Sequence, residues 1–97
     1  MSQGDPSLLH IYAQGSWHEE AYIVGNREAL ETLAQNIEAA LRDGRSKRGS
    51  YASDGEGYNV VVVLLDKPWR GPEWDTLRLP YTDEPAKRME GRGPWTL

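Results

Sequence analysis

The segment from Tyr58 to Leu65 is the strongest strand signal in the chain and sets the tightest limit on its fold. Every position in it except Asn59 is apolar or aromatic, so both faces of an alternating strand are apolar there. One helix covers only one face of a small sheet. The second face needs another cover, and the sequence offers either a Trp-rich C-terminal segment or a second subunit.

An amphipathic segment over residues 27–43 predicts the helix that covers the first face. Its apolar residues recur at spacings of three and four and predict one buried stripe, formed by Leu30, Leu33, Ala34, Ile37 and Leu41. Asn26 precedes the segment and predicts the N-cap, because its side chain accepts hydrogen bonds from free backbone N–H groups. Gly44 follows it and predicts a left-handed C-cap, which glycine adopts without a steric penalty.

Four strands complete the predicted fold. Turn signals at Gly15–Ser16 and at 54–57 predict two hairpins, and residues 45–49 are predicted to form a basic loop between the helix and the second hairpin. The predicted strands are 8–14, 20–24, 50–53 and 58–65. The element order is β-β-α-β-β, which predicts an α+β fold with one helix packed on one face of an antiparallel sheet.

The chain after Asp66 is irregular in pattern. Prolines at positions 68, 72, 80, 85 and 94 forbid long regular elements there, and we predict only a short edge strand at 76–79. A length of 97 residues is enough for one hydrophobic core but not for two. We therefore predict a single α+β binding domain over 1–82 and a polar C-terminal tail over 83–97.

Composition narrows the class of protein. The chain has no cysteine, which excludes a disulfide framework, a cysteine zinc site and a cysteine nucleophile. Its longest apolar run, Val60 to Leu65, is far too short to span a membrane. The first residues lack the pattern of a signal peptide, which predicts a cytoplasmic protein. The formal net charge of −4 argues against general affinity for nucleic acid or anionic membranes.

The usual signatures of catalysis are weak or missing. The two histidines, His10 and His18, have no third ligand at a recognised metal spacing, and there is no Gly-x-Ser-x-Gly elbow. Asp54 and Glu56 lie in a glycine-rich turn, where acidic residues are commonly there for solvation. Gly44 and Gly49 have the separation of a phosphate-binding loop, but the Lys-Ser/Thr pair that should follow is replaced by Ser-Tyr. We predict no enzyme, no metal and no cofactor.

The strongest binding candidate is a proline-framed loop in the C-terminal third. It supplies Trp69, Arg70, Trp74 and, shortly after, Tyr81. Trp, Tyr and Arg are enriched at binding hot spots and also stack on bases and sugars. The alternative is that the tryptophan rings cover the second apolar face of the 58–65 strand.

Two basic features at the ends of the predicted helix are further candidates. Asn26 and Arg27 lie at its N-terminus, where free N–H groups and the helix dipole attract anions. A basic cluster of Arg42, Arg45, Lys47 and Arg48 lies at its other end. The alternatives are a plain helix cap and basic residues that complement the helix C-terminus. About 25 Å of helix separates the two features, so only a dimer brings them together on one small ligand.

Three stretches of the chain carry a family resemblance. They are the run Ala21-Tyr-Ile-Val-Gly-Asn-Arg-Glu-Ala-Leu-Glu-Thr-Leu, the later Asp54-Gly-Glu-Gly-Tyr before an apolar strand, and Leu79-Pro-Tyr-Thr-Asp. Over roughly residues 8–83 the chain resembles the bacterial immunity protein 32 family. The resemblance implies a non-enzymatic protein that binds and neutralises a cognate protein toxin. It supplies no functional residues that transfer to this chain.

A second, fainter similarity is to small phage proteins that sequester the cyclic nucleotide signals of bacterial defence. Those proteins are similar in size, acidity and assembly, and this similarity implies an anionic nucleotide ligand in place of a protein. Arg27, Arg45 and Arg48 would then contact phosphates. Under either hypothesis we predict a homo-oligomer, a dimer or higher, formed through the uncovered face of the sheet.

Overall fold

The computed structural model of the chain describes residues 6–16, 18–81 and 91–97. Its elements are β1 (Leu9–Tyr12), β2 (Tyr22–Gly25), α1 (Arg27–Asp43), β3 (Arg45–Tyr51), β4 (Gly57–Val63) and α2 (Pro72–Asp75), followed by a 3₁₀ turn at Pro94–Thr96. β1 pairs with β2 and β3 pairs with β4, each antiparallel. The predicted α+β class and β-β-α-β-β order are confirmed, with the four strands in two two-stranded sheets.

The described residues form two compact units. The first contains residues 6–11 and 22–64, and the second contains 12–16, 18–21, 65–81 and 91–97. Helix α1 and the β3–β4 sheet therefore belong to the first unit, while α2 and the 3₁₀ turn belong to the second. The predicted boundary between residues 82 and 83, and the first part of the predicted tail, lie outside the described residues.

Helix α1 has the predicted bounds and both predicted caps. The Asn26 side chain accepts a hydrogen bond from Ala29 N at 3.0 Å, which satisfies one of the free N–H groups of the first turn. Gly44 has a φ of 89° and donates its backbone N–H to Ala40 O. The left-handed φ explains why glycine ends this helix.

The face that α1 buries differs from the predicted one. Its buried residues are Ala29, Asn36, Ala39 and Ala40. Of the predicted stripe only Leu33 is half-buried, while Leu30 and Ile37 are each 43% exposed and Leu41 is 63% exposed. The predicted burial of Leu30, Ala34, Ile37 and Leu41 is therefore wrong, although their periodicity correctly gave the helix.

Small side chains and one amide explain the choice of face. Alanine allows the helix backbone to approach the strands closely, which bulkier side chains would prevent. Asn36 is fully buried, and its Nδ2 donates to Val60 O of β4 at 3.0 Å. This hydrogen bond fixes the rotation of α1 over the β3–β4 sheet. Hydrophobic periodicity alone does not reveal it, since Asn36 counts as polar in the pattern.

The basic segment 45–49, predicted as a loop, forms most of strand β3. It pairs with β4 over its whole length, with Arg45 opposite Val63 and Tyr51 opposite Gly57. The apolar strand β4 needs a partner for its backbone N–H and C=O groups, and this requirement overrides the polarity of its neighbour. The turn between the strands contains Gly55, whose φ of 92° suits glycine.

The buried core of the described chain is small. Its fully buried apolar residues are Leu9, Ala29, Ala39 and Ala40, of which only Leu9 is large. Gly25 lies against Leu9, and a Cβ there would be only 3.1 Å from the Leu9 Cδ1 atom. The backbone of β1 is held to the second hairpin by Tyr58, whose hydroxyl donates to Leu9 O.

Candidate functional site

The turn that carries Trp69 and Arg70 is held by local hydrogen bonds. Gly71 N donates to Pro68 O at 3.0 Å, and the Trp74 indole N–H donates to Lys67 O at 3.2 Å. Arg70 has a φ of 70°, a left-handed conformation that is uncommon for a residue with a Cβ and raises the backbone energy. We call residues 67–71 the Trp69 turn.

Trp69 is the most exposed large apolar residue of the described chain, with 81% of its surface accessible. The Arg70 guanidinium carbon lies 4.7 Å from the centroid of the Trp69 ring, which is a cation–π distance. An exposed indole stacked with a guanidinium offers an apolar surface and several N–H donors together. Tryptophan and arginine are both enriched at protein interfaces.

The other two aromatic candidates are placed differently. The indole N–H of Trp74 already donates a hydrogen bond to Lys67 O, so it is not available to a partner. The residue is 43% exposed. Tyr81 is half-buried. The structure therefore brings Trp69, Arg70 and Trp74 together around one turn. Tyr81 lies outside this turn, later in the chain.

A second arginine–tryptophan pair, which the sequence pattern does not predict, lies in the same unit. The Arg78 guanidinium carbon is 5.0 Å from the centroid of the Trp95 ring. The ring packs on Gly93, where an added Cβ would lie within 2.2 Å of it. Leu77 and Arg92 form a parallel bridge beside this pair. The predicted strand at 76–79 is reduced to that bridge, and the missing side chain of Gly93 leaves room for the Trp95 ring.

Arg92 links this segment to α2. Its Nη2 donates to Glu73 O at 2.8 Å, and its Nε donates to Thr76 Oγ1 at 2.9 Å. The described end of the chain is therefore hydrogen-bonded structure, although the sequence predicted only a polar tail there. The hydrogen bonds of Arg92 place it among structural residues of the second unit.

At the N-terminus of α1, both polar atoms of the Asn26 side chain bind backbone groups. Its Oδ1 accepts from Ala29 N and from Leu8 N, and its Nδ2 donates to Pro6 O. Arg27 extends into solvent, with 90% of its side chain exposed, and pairs weakly with Glu31 at 4.0 Å. The structure thus gives Asn26 a bracing role between the start of β1 and the start of α1.

The basic residues at the other end of α1 do not converge. Arg45 and Arg48 are an odd number of positions apart on β3, so their side chains leave opposite faces of the strand. Arg48 lies on the face toward α1, where it lines a cleft together with Asn36 and Ser50. Arg45 and Lys47 share the opposite face with Val61 and Val63 of β4. Two separate basic positions result, rather than one cluster.

The cleft between α1 and the β3–β4 sheet is small. Its empty volume is about 180 Å³ including its open mouth, well below the volume of typical ligand pockets. The Asn36 Oδ1 atom in its wall has no hydrogen-bond partner among the described residues. A buried amide oxygen of this kind is commonly satisfied by a water molecule, and the cleft fits that use.

No three acidic or histidine side chains within the described ranges come together as a set able to hold a metal ion. His10 Nε2 accepts a hydrogen bond from Ser53 N at 2.9 Å, so this ring ties β1 to the turn after β3. In the part of the chain that the structure describes, no helix combines the length and the apolar character needed to cross a membrane.

Comparisons with protein-family models, with curated proteins and with solved structures find no match to this chain. The resemblance to the immunity protein 32 family therefore rests on the residues quoted for it.

Proposed function

We propose that this chain is a non-enzymatic, cytoplasmic binding protein that neutralises a cognate protein toxin by sequestering it. The observation that carries the proposal is the Trp69 turn, where an indole that is 81% exposed stacks with Arg70. A partner that covers this ring removes its apolar surface from water, which is favourable. The strained φ of Arg70 supports the same interpretation, because strain of this kind clusters at binding sites.

The construction of the Trp69 turn suits binding without a large entropy loss. Pro68 and Pro72 restrict the backbone on both sides, and two hydrogen bonds close the turn. Because the turn is already ordered, little conformational entropy is lost when a partner covers Trp69. An exposed indole beside a guanidinium also favours a protein partner, because tryptophan and arginine are enriched at protein interfaces.

Replacing Trp69 with Ala tests the proposal. The assay co-expresses this chain in bacteria with the polypeptide encoded by the gene immediately upstream of its own, and counts surviving colonies. We expect the wild type to restore growth and Trp69→Ala to weaken the complex by about tenfold to thirtyfold in a titration. Trp69→Phe, which keeps a ring, is expected to retain most of the affinity. Circular dichroism checks that each variant is folded.

Two results would contradict this function. One is a folded Trp69→Ala variant that protects and binds as well as the wild type. The other is a thermal shift with a cyclic nucleotide, since a ligand at 100 times its Kd stabilises by about 2.7 kcal/mol. The second result would favour the nucleotide-sequestering alternative, for which Arg27, Arg45 and Arg48 were candidates. Their separate positions give that alternative no specific support.

We also propose that the chain forms a homo-oligomer through the face of the β3–β4 sheet opposite α1. Val61 lies on this face and is 43% exposed. We expect light scattering after size exclusion to give a mass of at least two chains. Val61→Lys is expected to reduce it to one chain, because the new ammonium group would be desolvated at the interface. A monomeric wild type at about 100 μM would overturn this expectation.

A further inference from the structure

Among the described residues, helix α1 has an exposed apolar stripe. The stripe consists of Leu30, Ala34, Ile37 and Leu41, at spacings of four, three and four residues. These are the spacings at which a helix packs against another helix along a narrow seam. The stripe is about 16 Å long, which is three helical turns. Leu41 is 63% exposed, more than Leu30 and Ile37 at 43% each.

The two sides of the stripe differ. On a helix of about 3.6 residues per turn, the side toward the sheet carries Leu33, which is half-buried, and Ala40, which is buried. The opposite side is charged and carries Arg27, Glu31, Glu38 and Arg42 in that order along the axis. The charged side is therefore the only polar edge of the stripe that a partner can contact, and we call it the rim.

The centre of this rim is acidic. Arg27 pairs with Glu31, and Arg42 pairs with Asp43 at 3.3 Å, so both terminal cations have carboxylate neighbours. The Glu38 side chain forms no hydrogen bond or ion pair within the described residues. Glu31 and Glu38 are seven positions apart, which places them on the same side of α1 about 10.5 Å from each other.

The charge order argues against a second copy of this chain on the stripe. Two antiparallel copies of α1 would place Arg27 opposite Arg42 of the other copy and Glu31 opposite Glu38, so every rim pair would be of like charge. In a parallel pair, the charged side of each helix would lie against the sheet side of the other helix. That side is not open, because Leu33 and Ala40 face the chain's own sheet. The rim therefore selects a different occupant.

We infer that the α1 stripe docks an amphipathic helix of a partner protein, with apolar residues along the seam and Lys or Arg seven positions apart on its flank. The apolar stripe supplies the contact area, and the two glutamates set the orientation by charge complementarity. The formal net charge of −4 assists the approach of a basic partner. This surface is distinct from the Trp69 turn and does not depend on the function proposed for it.

The test uses two synthetic helical peptides of about 18 residues with leucine at the seam positions. One has lysine on the flank seven positions apart, and the other has glutamate at the same places. Fluorescence anisotropy measures their binding to the full chain. We expect the lysine peptide to bind at least roughly tenfold tighter than the glutamate peptide, with a preference that weakens as salt is added.

Matched variants localise the binding. Ile37→Gln is expected to weaken the lysine peptide by roughly tenfold, and Glu38→Lys to reduce its preference over the glutamate peptide by a similar factor. Glu56→Lys makes the same change of net charge in the β3–β4 turn and is expected to leave the preference unchanged. Trp69→Ala is expected to leave peptide binding unchanged, which separates this inference from the proposed function.

Four outcomes would overturn the inference. They are equal binding of the two peptides, equal effects of Glu38→Lys and Glu56→Lys, loss of peptide binding in Trp69→Ala, and a wild-type oligomer that Ile37→Gln dissociates. The last outcome would show that a second copy occupies the stripe. Circular dichroism and the melting temperature confirm that each variant is folded, so that lost binding reports on the surface.

Discussion

Replacing Leu9 with Ala is expected to destabilise the protein by about 3 kcal/mol, since removing a buried leucine side chain leaves a cavity as well as losing its transfer free energy. Leu9 is 2% exposed and is the only large apolar residue among the fully buried ones of the described chain. The remaining buried apolar residues are alanines, which cannot refill the space. Chemical denaturation with urea, monitored by circular dichroism, measures the loss.

The matched control is Leu41→Ala, which deletes the same atoms from α1. Leu41 belongs to the stripe that periodicity assigned to the core, yet it is 63% exposed. We expect its replacement to lower the free energy of unfolding by less than about 1 kcal/mol. A loss at Leu41 equal to that at Leu9 would mean that α1 buries the stripe, and the rotation of the helix described above would be wrong.

The sequence predicts the elements of this fold better than their packing. Helix α1 follows from local signals alone: Asn26 and Gly44 mark its ends, and the three-and-four spacing marks its body. Which face it buries depends on the Asn36 hydrogen bond to β4, a contact between residues 24 positions apart. No local pattern contains that information, because the apolar stripe and the alanine face have the same period.

Strand β3 shows the complementary limitation. Residues 45–49 are basic and polar, which locally favours a loop, yet they pair with the apolar strand β4. The pairing is decided by the backbone of β4 rather than by the side chains of β3. Its consequence for function is direct, since a strand places Arg45 and Arg48 on opposite faces and separates a cluster that the sequence grouped together.

Residue type and the flanking prolines predicted one part of the candidate site and missed another. Trp69 and Arg70 were selected by residue type and by the flanking prolines, and the structure finds them stacked and exposed. The second pair, Arg78 and Trp95, joins segments far apart in sequence across the Leu77–Arg92 bridge. Residue type alone does not pair them.

Replacing Asn26 with Ala is expected to lower the free energy of unfolding by about 2–3 kcal/mol. About 1 kcal/mol comes from the lost helix cap, and the rest comes from two further hydrogen bonds of roughly 0.5–1 kcal/mol each. Those bonds run from Leu8 N and to Pro6 O, so the substitution also loosens the start of β1. Thermal and urea denaturation measure the effect.

Two conservative variants divide this loss between its causes. Asn26→Asp keeps an oxygen for Ala29 N and Leu8 N and adds a favourable charge at the helix N-terminus, so we expect it to lose less than about 1 kcal/mol. Asn26→Ser keeps the cap but is too short to reach Leu8 and Pro6, so we expect a stability between those of Asp and Ala. If Asn26→Ala were as stable as the wild type, Asn26 would not brace β1 against α1.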